Sequence, residues 1–234
     1  MPLTYRQLQE RIINRLRLLP GAITQPELPA DHDYAQDPAM ALTSVVFLPP
    51  PLARDIQRAV IAPLQLMEPQ HYYYPPEAMH LTIKNVCAPH DPPLYSDADV
   101  QRAHQVLAQV TAQHAPFVFT LEQVVALTGS VCLIGYGDEQ YRELVLDLRT
   151  GLQRLGMPED ARLASAEVFF GNVTLCRYGC APSDGLLRAI TERAYSYRAD
   201  LRVEVIHLIT CNRACAPASR RLLYAYRLGE GSIT

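Results

Sequence analysis

The chain is short of charge, has a single lysine and contains no long apolar run, and each shortage removes a class of protein. Charged residues are 19% and hydrophobic ones 49% of 234 residues, which excludes a disordered or fibrous chain and leaves ample material for a core. No stretch approaches the roughly 20 apolar residues that a bilayer span needs. The opening MPLTYRQLQER lacks the apolar centre of a signal peptide, so a cytoplasmic protein with no membrane partner is expected. With 21 Lys+Arg against 24 Asp+Glu there is no surplus of cations, so duplex DNA is not an expected partner. Because Lys84 is the only lysine, arginine is the main residue left for phosphate contacts. The glycine-rich GxGxxG and GxxxxGK loops, the GxSxG elbow and the HExxH zinc helix are also absent, which sets aside the common nucleotide, hydrolase and metalloprotease fingerprints.

Cysteine is present six times, and four of the six form two C-x3-C pairs, Cys176/Cys180 and Cys211/Cys215. Four thiolates could hold zinc. The spacing is wider than the C-x2-C knuckle, however, and Cys176 and Cys211 sit in strand-like segments. Buried free thiols in a reducing compartment fit this pattern better.

Residues 4–19 predict an amphipathic helix, with Thr4 and Gln7 as a capping box and Leu8, Ile12, Ile13, Leu16 and Leu19 at helical spacing. Pro20-Gly21 should end it, and a connecting loop should run to about residue 40. From residue 41 one order of elements occurs twice: strand, helix, short polar motif on a strand, helix, strand. The first pass spans about 41–128 and the second about 129–229, so residues 41–234 read as one bilobal domain behind an N-terminal extension over 1–40. The helix after the first strand should be strained at Pro63. LRVEVIHLITC (201–211) and RRLLYAYRLG (220–229) read as a closing pair of strands. Such closing strands favour an α+β fold with two pseudo-symmetric lobes, largely antiparallel sheets and flanking helices around a central cleft.

Each pass carries one motif. Alternation in His80-Leu81-Thr82-Ile83 puts His80 and Thr82 on one face of a strand, and Asn172-Val173-Thr174-Leu175 does the same for Asn172 and Thr174. An imidazole that exchanges a proton near neutral pH, beside a hydroxyl that hydrogen-bonds a non-bridging oxygen, suits a phosphate diester. One such motif is weak evidence. Its recurrence in degenerate form, at matching points of a repeat, is what gives it weight.

On these residues the sequence resembles the 2H phosphoesterase superfamily, which includes the 2′,5′ RNA ligase-like and cyclic phosphodiesterase proteins. That family has two His-x-Thr/Ser-hydrophobic motifs on strands of two pseudo-symmetric lobes. The resemblance covers roughly residues 41–229. His80-Leu81-Thr82-Ile83 matches the first motif, and Asn172-Val173-Thr174-Leu175-Cys176-Arg177 is similar to the second with Asn in place of His. The resemblance implies a catalytic His80, phosphate ligands in Thr82 and Thr174, and Asn172 at the second imidazole's place. It implies no metal and no cofactor. The substrate would be a 2′,3′-cyclic phosphate, a 2′,5′-linked RNA end or a small cyclic nucleotide, so an RNA end or small nucleotide is the expected partner. An amide cannot exchange a proton near neutral pH. The alternative is therefore an impaired member that binds nucleotide or RNA phosphate without turnover.

Alternation adds Lys84 to the His80/Thr82 face as a further phosphate contact, and points Arg177 away from Thr174 unless the strand bulges. Tyr74 and Tyr136, near the two motifs, are candidates for stacking on a base. His207 could stand in for the missing imidazole, although its place within a strand suits a structural role better.

Overall fold

The computed structural model describes residues 3–17, 32–157, 165–194 and 196–233. The predicted helix stop at Pro20-Gly21, and most of the connecting stretch after it, lie outside the described residues. The N-terminal helix, α1 (Tyr5–Arg17), opens with the expected reciprocal cap: Thr4 N donates to Gln7 Oε1 at 2.9 Å and Gln7 N to Thr4 Oγ1 at 3.3 Å. Its most buried stripe is Tyr5, Gln9 and Ile13, not the Leu8/Ile12/Leu16 stripe. The difference has a polar cause. Gln9 Nε2 donates to the Phe169 carbonyl at 2.6 Å, and Tyr5 Oη accepts from Phe169 N at 2.8 Å, so the helix docks by hydrogen bonds that apolar periodicity does not record.

The first lobe is built from β1 (Met40–Phe47), β3 (His80–His90), β8 (Val205–Asn212), β9 (Arg221–Arg227) and β10 (Gly231–Ser232). The second contains β4 (Phe117–Leu127), β5 (Ser130–Tyr136), β6 (Gly171–Arg177) and β7 (Arg198–Val203). All these pairings are antiparallel, in the order β10-β9-β8-β1-β3-β6-β5-β4-β7, and a short β2 (Tyr72–Tyr73) lies against β6.

The two passes along the chain are not the two lobes. β1 pairs with β3 and β8, while β5 pairs with β6 and β4. The strand that closes the first pass, β4, thus joins the second lobe, and β8 of the second pass joins the first. The stretch 201–211, expected as one strand, is correspondingly two. It breaks at Glu204, with β7 on β4 and β8 on β1. This exchange of closing strands ties the lobes together.

Helices cover the outer faces. α2 (Pro50–Ile56) and α3 (Ala62–Met67) are joined through a π turn over Gln57–Ile61. Pro63 lacks an N–H, and its ring would press on the carbonyl four residues back. The wider turn, in which Ala62 N–H bonds to Gln57 O, accommodates it. α4 (Asp97–Thr111) starts at a Ser96/Asp99 capping box, and α5 (Glu139–Arg154) at Asp138. Gly156 follows α5 with a φ of 71°, the left-handed conformation of a helix stop. Ser183 caps α6 (Asp184–Glu192) and also bonds to Glu68, just past α3, through its N–H (3.1 Å) and its hydroxyl. His71 Nε2 reaches the same carboxylate at 2.7 Å. This cluster, with Glu68 and His71 buried, is a polar clamp from α3 to α6.

The motif strands β3 and β6 meet at one pair, Leu81 opposite Val173. Both side chains are fully buried in the core. Gly171 permits this approach, because a Cβ there would run into Leu81 Cδ2 and lie 3.1 Å from Phe119 Cε1.

Candidate active site

The pairing of Leu81 with Val173 fixes what stands on the opposite, cleft-facing side. His80 and Thr82 flank Leu81 on β3, and Asn172 and Thr174 flank Val173 on β6. All four side chains line a single cavity of about 660 Å³.

His80 is held by its Nδ1, 2.7 Å from the Ala78 carbonyl. A carbonyl only accepts, so Nδ1 carries the hydrogen and Nε2 is the nitrogen that can gain or lose a proton. Burial works to lower its pKa, but the hydrogen bond and charge of Cys215, with the Ala78 carbonyl, outweigh it. The net direction is upward, against a smaller opposing effect of Arg177. Across the cleft, Asn172 Nδ2 donates to Cys132 Sγ at 3.6 Å, and the same sulfur is 4.0 Å from Thr174 Oγ1. Burial pushes the Cys132 thiol up, so it is a neutral spacer under the second motif.

Arg177 is the site residue that plain alternation misplaces. Cys132 pairs with Thr174 but its neighbour Val131 pairs with Cys176, so a bulge at Leu175 resets the faces and turns Arg177, opposite Ser130, into the cleft. Its Nε donates to Tyr74 Oη at 2.9 Å, and a terminal nitrogen donates to the Arg213 carbonyl at 3.2 Å. The guanidinium lies 5.7 Å from the centre of the Tyr34 ring. Arg213 also borders the cavity, with Asp37 as its counter-ion at 2.9 Å.

The same device acts next to Lys84. Thr82 pairs with Val45 and Lys84 with Ser44, consecutive residues of β1 that point to opposite sides. A bulge at Ile83–Lys84 breaks the alternation there, and Asn85 opposite Thr43 takes the next turn on the Thr82 face, while Lys84 is buried yet still borders the cavity. The two tyrosines are not free to stack on a base. Tyr74 is 1% exposed, with its hydroxyl held by Arg177. Tyr136 lies outside the cavity, buried under the Arg6 guanidinium at 3.3 Å, with its hydroxyl bonded to Gln123. His207 does not line the cavity either, and its ring packs on Phe47 at 5.4 Å.

Two further features were not visible in the motifs. Cys215 lines the same cavity as His80, and nothing in the C-x3-C spacing pointed there. Helix α1 occupies one wall of the cleft: Ile13 packs with Val125, Cys132, Ile134 and Tyr136 of the second lobe, and Leu16 reaches the cavity.

No family model matches the chain, and no curated protein is similar to it in sequence. Solved structures are. A protein of Thermus thermophilus, TT0787, superposes with a TM-score of 0.55 at 17% identity, over 81% of this chain and 98% of that one. A protein described as a phosphoesterase gives 0.54 at 16%, with the same shares covered. Escherichia coli LigT in complex with 3′-AMP gives 0.53 at 15%, again over 81% and 98%. The chain thus has the fold of the 2H phosphoesterases, the group that its two motifs resemble.

Proposed function

We propose that this chain is a 2H-type phosphoesterase-like protein acting on a 2′,3′-cyclic phosphate, a 2′,5′-linked RNA end or a small cyclic nucleotide by metal-independent acid–base chemistry. One observation carries the reading: His80, Thr82, Asn172, Thr174 and Arg177, drawn from both motif strands, line one cavity. Thr82 and Thr174 hold non-bridging oxygens by hydrogen bonds, and Arg177 offers charge to the phosphate. Water adds to phosphorus as one P–O bond breaks, and His80 gives its proton to the departing oxygen. Asn172 orients the water but cannot take its proton, which passes to solvent. Solved complexes of E. coli LigT with ATP and 3′-AMP, both phosphate-bearing nucleotides, support a ligand of this class.

The second reading is a binding protein that holds nucleotide or RNA phosphate without turnover, and Asn172 favours it. Both readings share a test. A nucleoside 2′,3′-cyclic phosphate should raise the Tm of the wild-type chain, and the Thr82→Val/Thr174→Val double variant should lose that rise, because a methyl replaces the donor at nearly constant volume. Equal protection of both proteins would remove the threonines from the site. Release of ring-opened phosphate then separates enzyme from binder.

A further inference from the structure

Helix α1 is docked on the sheet face of the second lobe that carries Asn172 and Thr174. Cys132 pairs with both Thr174 and Val125, and Ile134 pairs with Asn172. Directly opposed residues of an antiparallel pair share a face. Ile13 packs against Val125, Cys132 and Ile134, so it lies on that face too. Three residues on, Leu16 borders the cavity. The start of the helix is fixed by Tyr5, whose hydroxyl accepts from Phe169 N (2.8 Å) and donates to Phe169 O (3.1 Å). Gln9 donates to the same carbonyl at 2.6 Å.

The chain that α1 grips leads directly to a ring in the cavity. Buried and half-buried residues alternate from Phe169 to Thr174, which puts Phe170 on the side of Asn172 and Thr174. Phe170 and Leu127 pack against the Ile13 cluster, and both line the cavity with Leu16. From the opposite side α5 pins the preceding residues, with Arg142 Nε donating to Glu167 O (3.0 Å) and Arg149 Nη1 to Ala166 O (2.5 Å). An aromatic side chain held in this way is preorganised, so little ordering cost remains when a ligand binds it. Of the phenylalanines and tyrosines described around the cavity, Tyr74, Tyr141 and Phe169 are buried, whereas Phe170 is only half-buried.

We propose that Phe170, Leu127 and Leu16 form the slot for the base of the ligand, so that α1 is a wall of the binding site and restricts it to a nucleotide with a single base. The inference rests on the phosphoester-like reading of the cleft and selects among its substrates. Two residues of extended chain span about 6.6 Å, so Phe170 stands from Asn172 at a distance that the ribose between a cyclic phosphate and its base bridges. A second base beyond the slot would meet α1. The same sheet face continues through Ile134 to Tyr136, and Ile13 covers the first while the Arg6 guanidinium lies 3.3 Å over the ring of the second. The cavity of about 660 Å³ also falls in the range of small-molecule sites.

The test is calorimetric titration of the full chain with three probes, in about 0.15 M salt to screen extra phosphates. The probes are adenosine 2′,3′-cyclic phosphate, the methyl riboside 2′,3′-cyclic phosphate that lacks a base, and an adenosine trinucleotide ending in the cyclic phosphate. Wild type should bind the mononucleotide at least about tenfold more tightly than the base-free probe, as expected for one stacked base, and the trinucleotide no more tightly than the mononucleotide. Phe170→Leu keeps an apolar side chain but removes the aromatic face. It should weaken the mononucleotide roughly tenfold or more and bind the base-free probe as wild type does. Phe170→Tyr should retain the preference, and Leu16→Ala should lose part of it. Equal loss on both probes in Phe170→Leu, or no loss on either, overturns the slot, and a trinucleotide bound tenfold more tightly overturns the limit set by α1. Where Phe170→Leu does not fold, the three wild-type affinities decide alone. Wild-type binding of the base-free probe with no gain from the base removes the slot and leaves the phosphoester reading standing, whereas binding of none of the three removes both.

Discussion

Leu81 sits directly opposite Val173, and this backbone pair between β3 and β6 turns two separate motifs into one site. The residues on either side of it are His80 and Thr82 on one strand, Asn172 and Thr174 on the other. The approach depends on Gly171, where any Cβ meets the buried Leu81 and Phe119 side chains. Gly171→Ala should therefore destabilise the fold by about 1–3 kcal/mol, the usual result of overpacking. Leu81→Ala in the same chain should recover part of the loss that the two changes would otherwise sum to. Urea unfolding of the two single variants and the double variant measures this, and strict additivity would mean that the two positions do not press on each other.

The clamp of Glu68 with His71 and Ser183 should appear in the acid stability of the protein. Burial alone would raise the Glu68 pKa, but hydrogen bonds from Ser183 and His71 hold it below its ordinary value of 4.5. A carboxylate depressed in the folded state contributes stability that is present above the unfolded pKa and lost as pH falls through the folded one. The Tm should accordingly drop as pH is lowered below about 4.5. Glu68→Gln should flatten that part of the profile and cost about 1.5–3 kcal/mol at neutral pH, as expected for a hydrogen bond to a charged group. A Glu68→Gln profile parallel to wild type would place the acid response elsewhere.

Most of the site and much of the fold could be read from the chain because both rest on period-two alternation, capping residues and a repeat. Ser96, Asp138, Ser183 and Gly156 mark helix ends by local chemistry, and local chemistry is what a sequence displays. What could not be read is non-local. The bulges at Ile83–Lys84 and Leu175 shift alternation by one residue, which brings Arg177 to the cavity and Asn85 onto the Thr82 face. The exchange of β4 and β8 between lobes leaves no mark beyond Glu204, and the docking of α1 by Gln9 is polar. Cys215 was hidden for the same reason. Its place on the cavity wall follows from a turn anchored by Asn212 to Tyr34 and Ala35, far away in sequence.

Arg177 provides a test of the bulge itself. Its guanidinium is aimed by Tyr74 Oη and the Arg213 carbonyl, a fork geometry that a lysine ammonium does not reproduce. Arg177→Lys should weaken binding of a nucleoside 2′,3′-cyclic phosphate by roughly tenfold to a hundredfold, the equivalent of about 1.5–3 kcal/mol. Tyr74→Phe, which removes only the aiming hydroxyl, should weaken it less. Calorimetric titration of both variants would detect the difference. Wild-type affinity in Arg177→Lys would mean that the bulge turns Arg177 into the cleft without bringing it to the ligand.

Asn172 is the departure on which turnover depends. It lines the same cavity as His80, with its amide resting on Cys132. Loss of one partner in general acid–base catalysis lowers the rate by about 10²–10⁴. The wild-type chain should consequently open a nucleoside 2′,3′-cyclic phosphate slowly or not at all. Asn172→His should raise the rate by about 10²-fold, the lower end of that range, because Cys132 beneath it offers a thiol and no carboxylate or carbonyl to orient a ring. His80→Ala placed on top should remove the gain, since the two imidazoles must act on opposite sides of one phosphorus. Steady-state rates of the four proteins decide the matter. A wild type that is already fast and is slowed by Asn172→His would show that another group takes the water's proton. The cleft would then be a working site built around a single imidazole, and not the remnant of a pair.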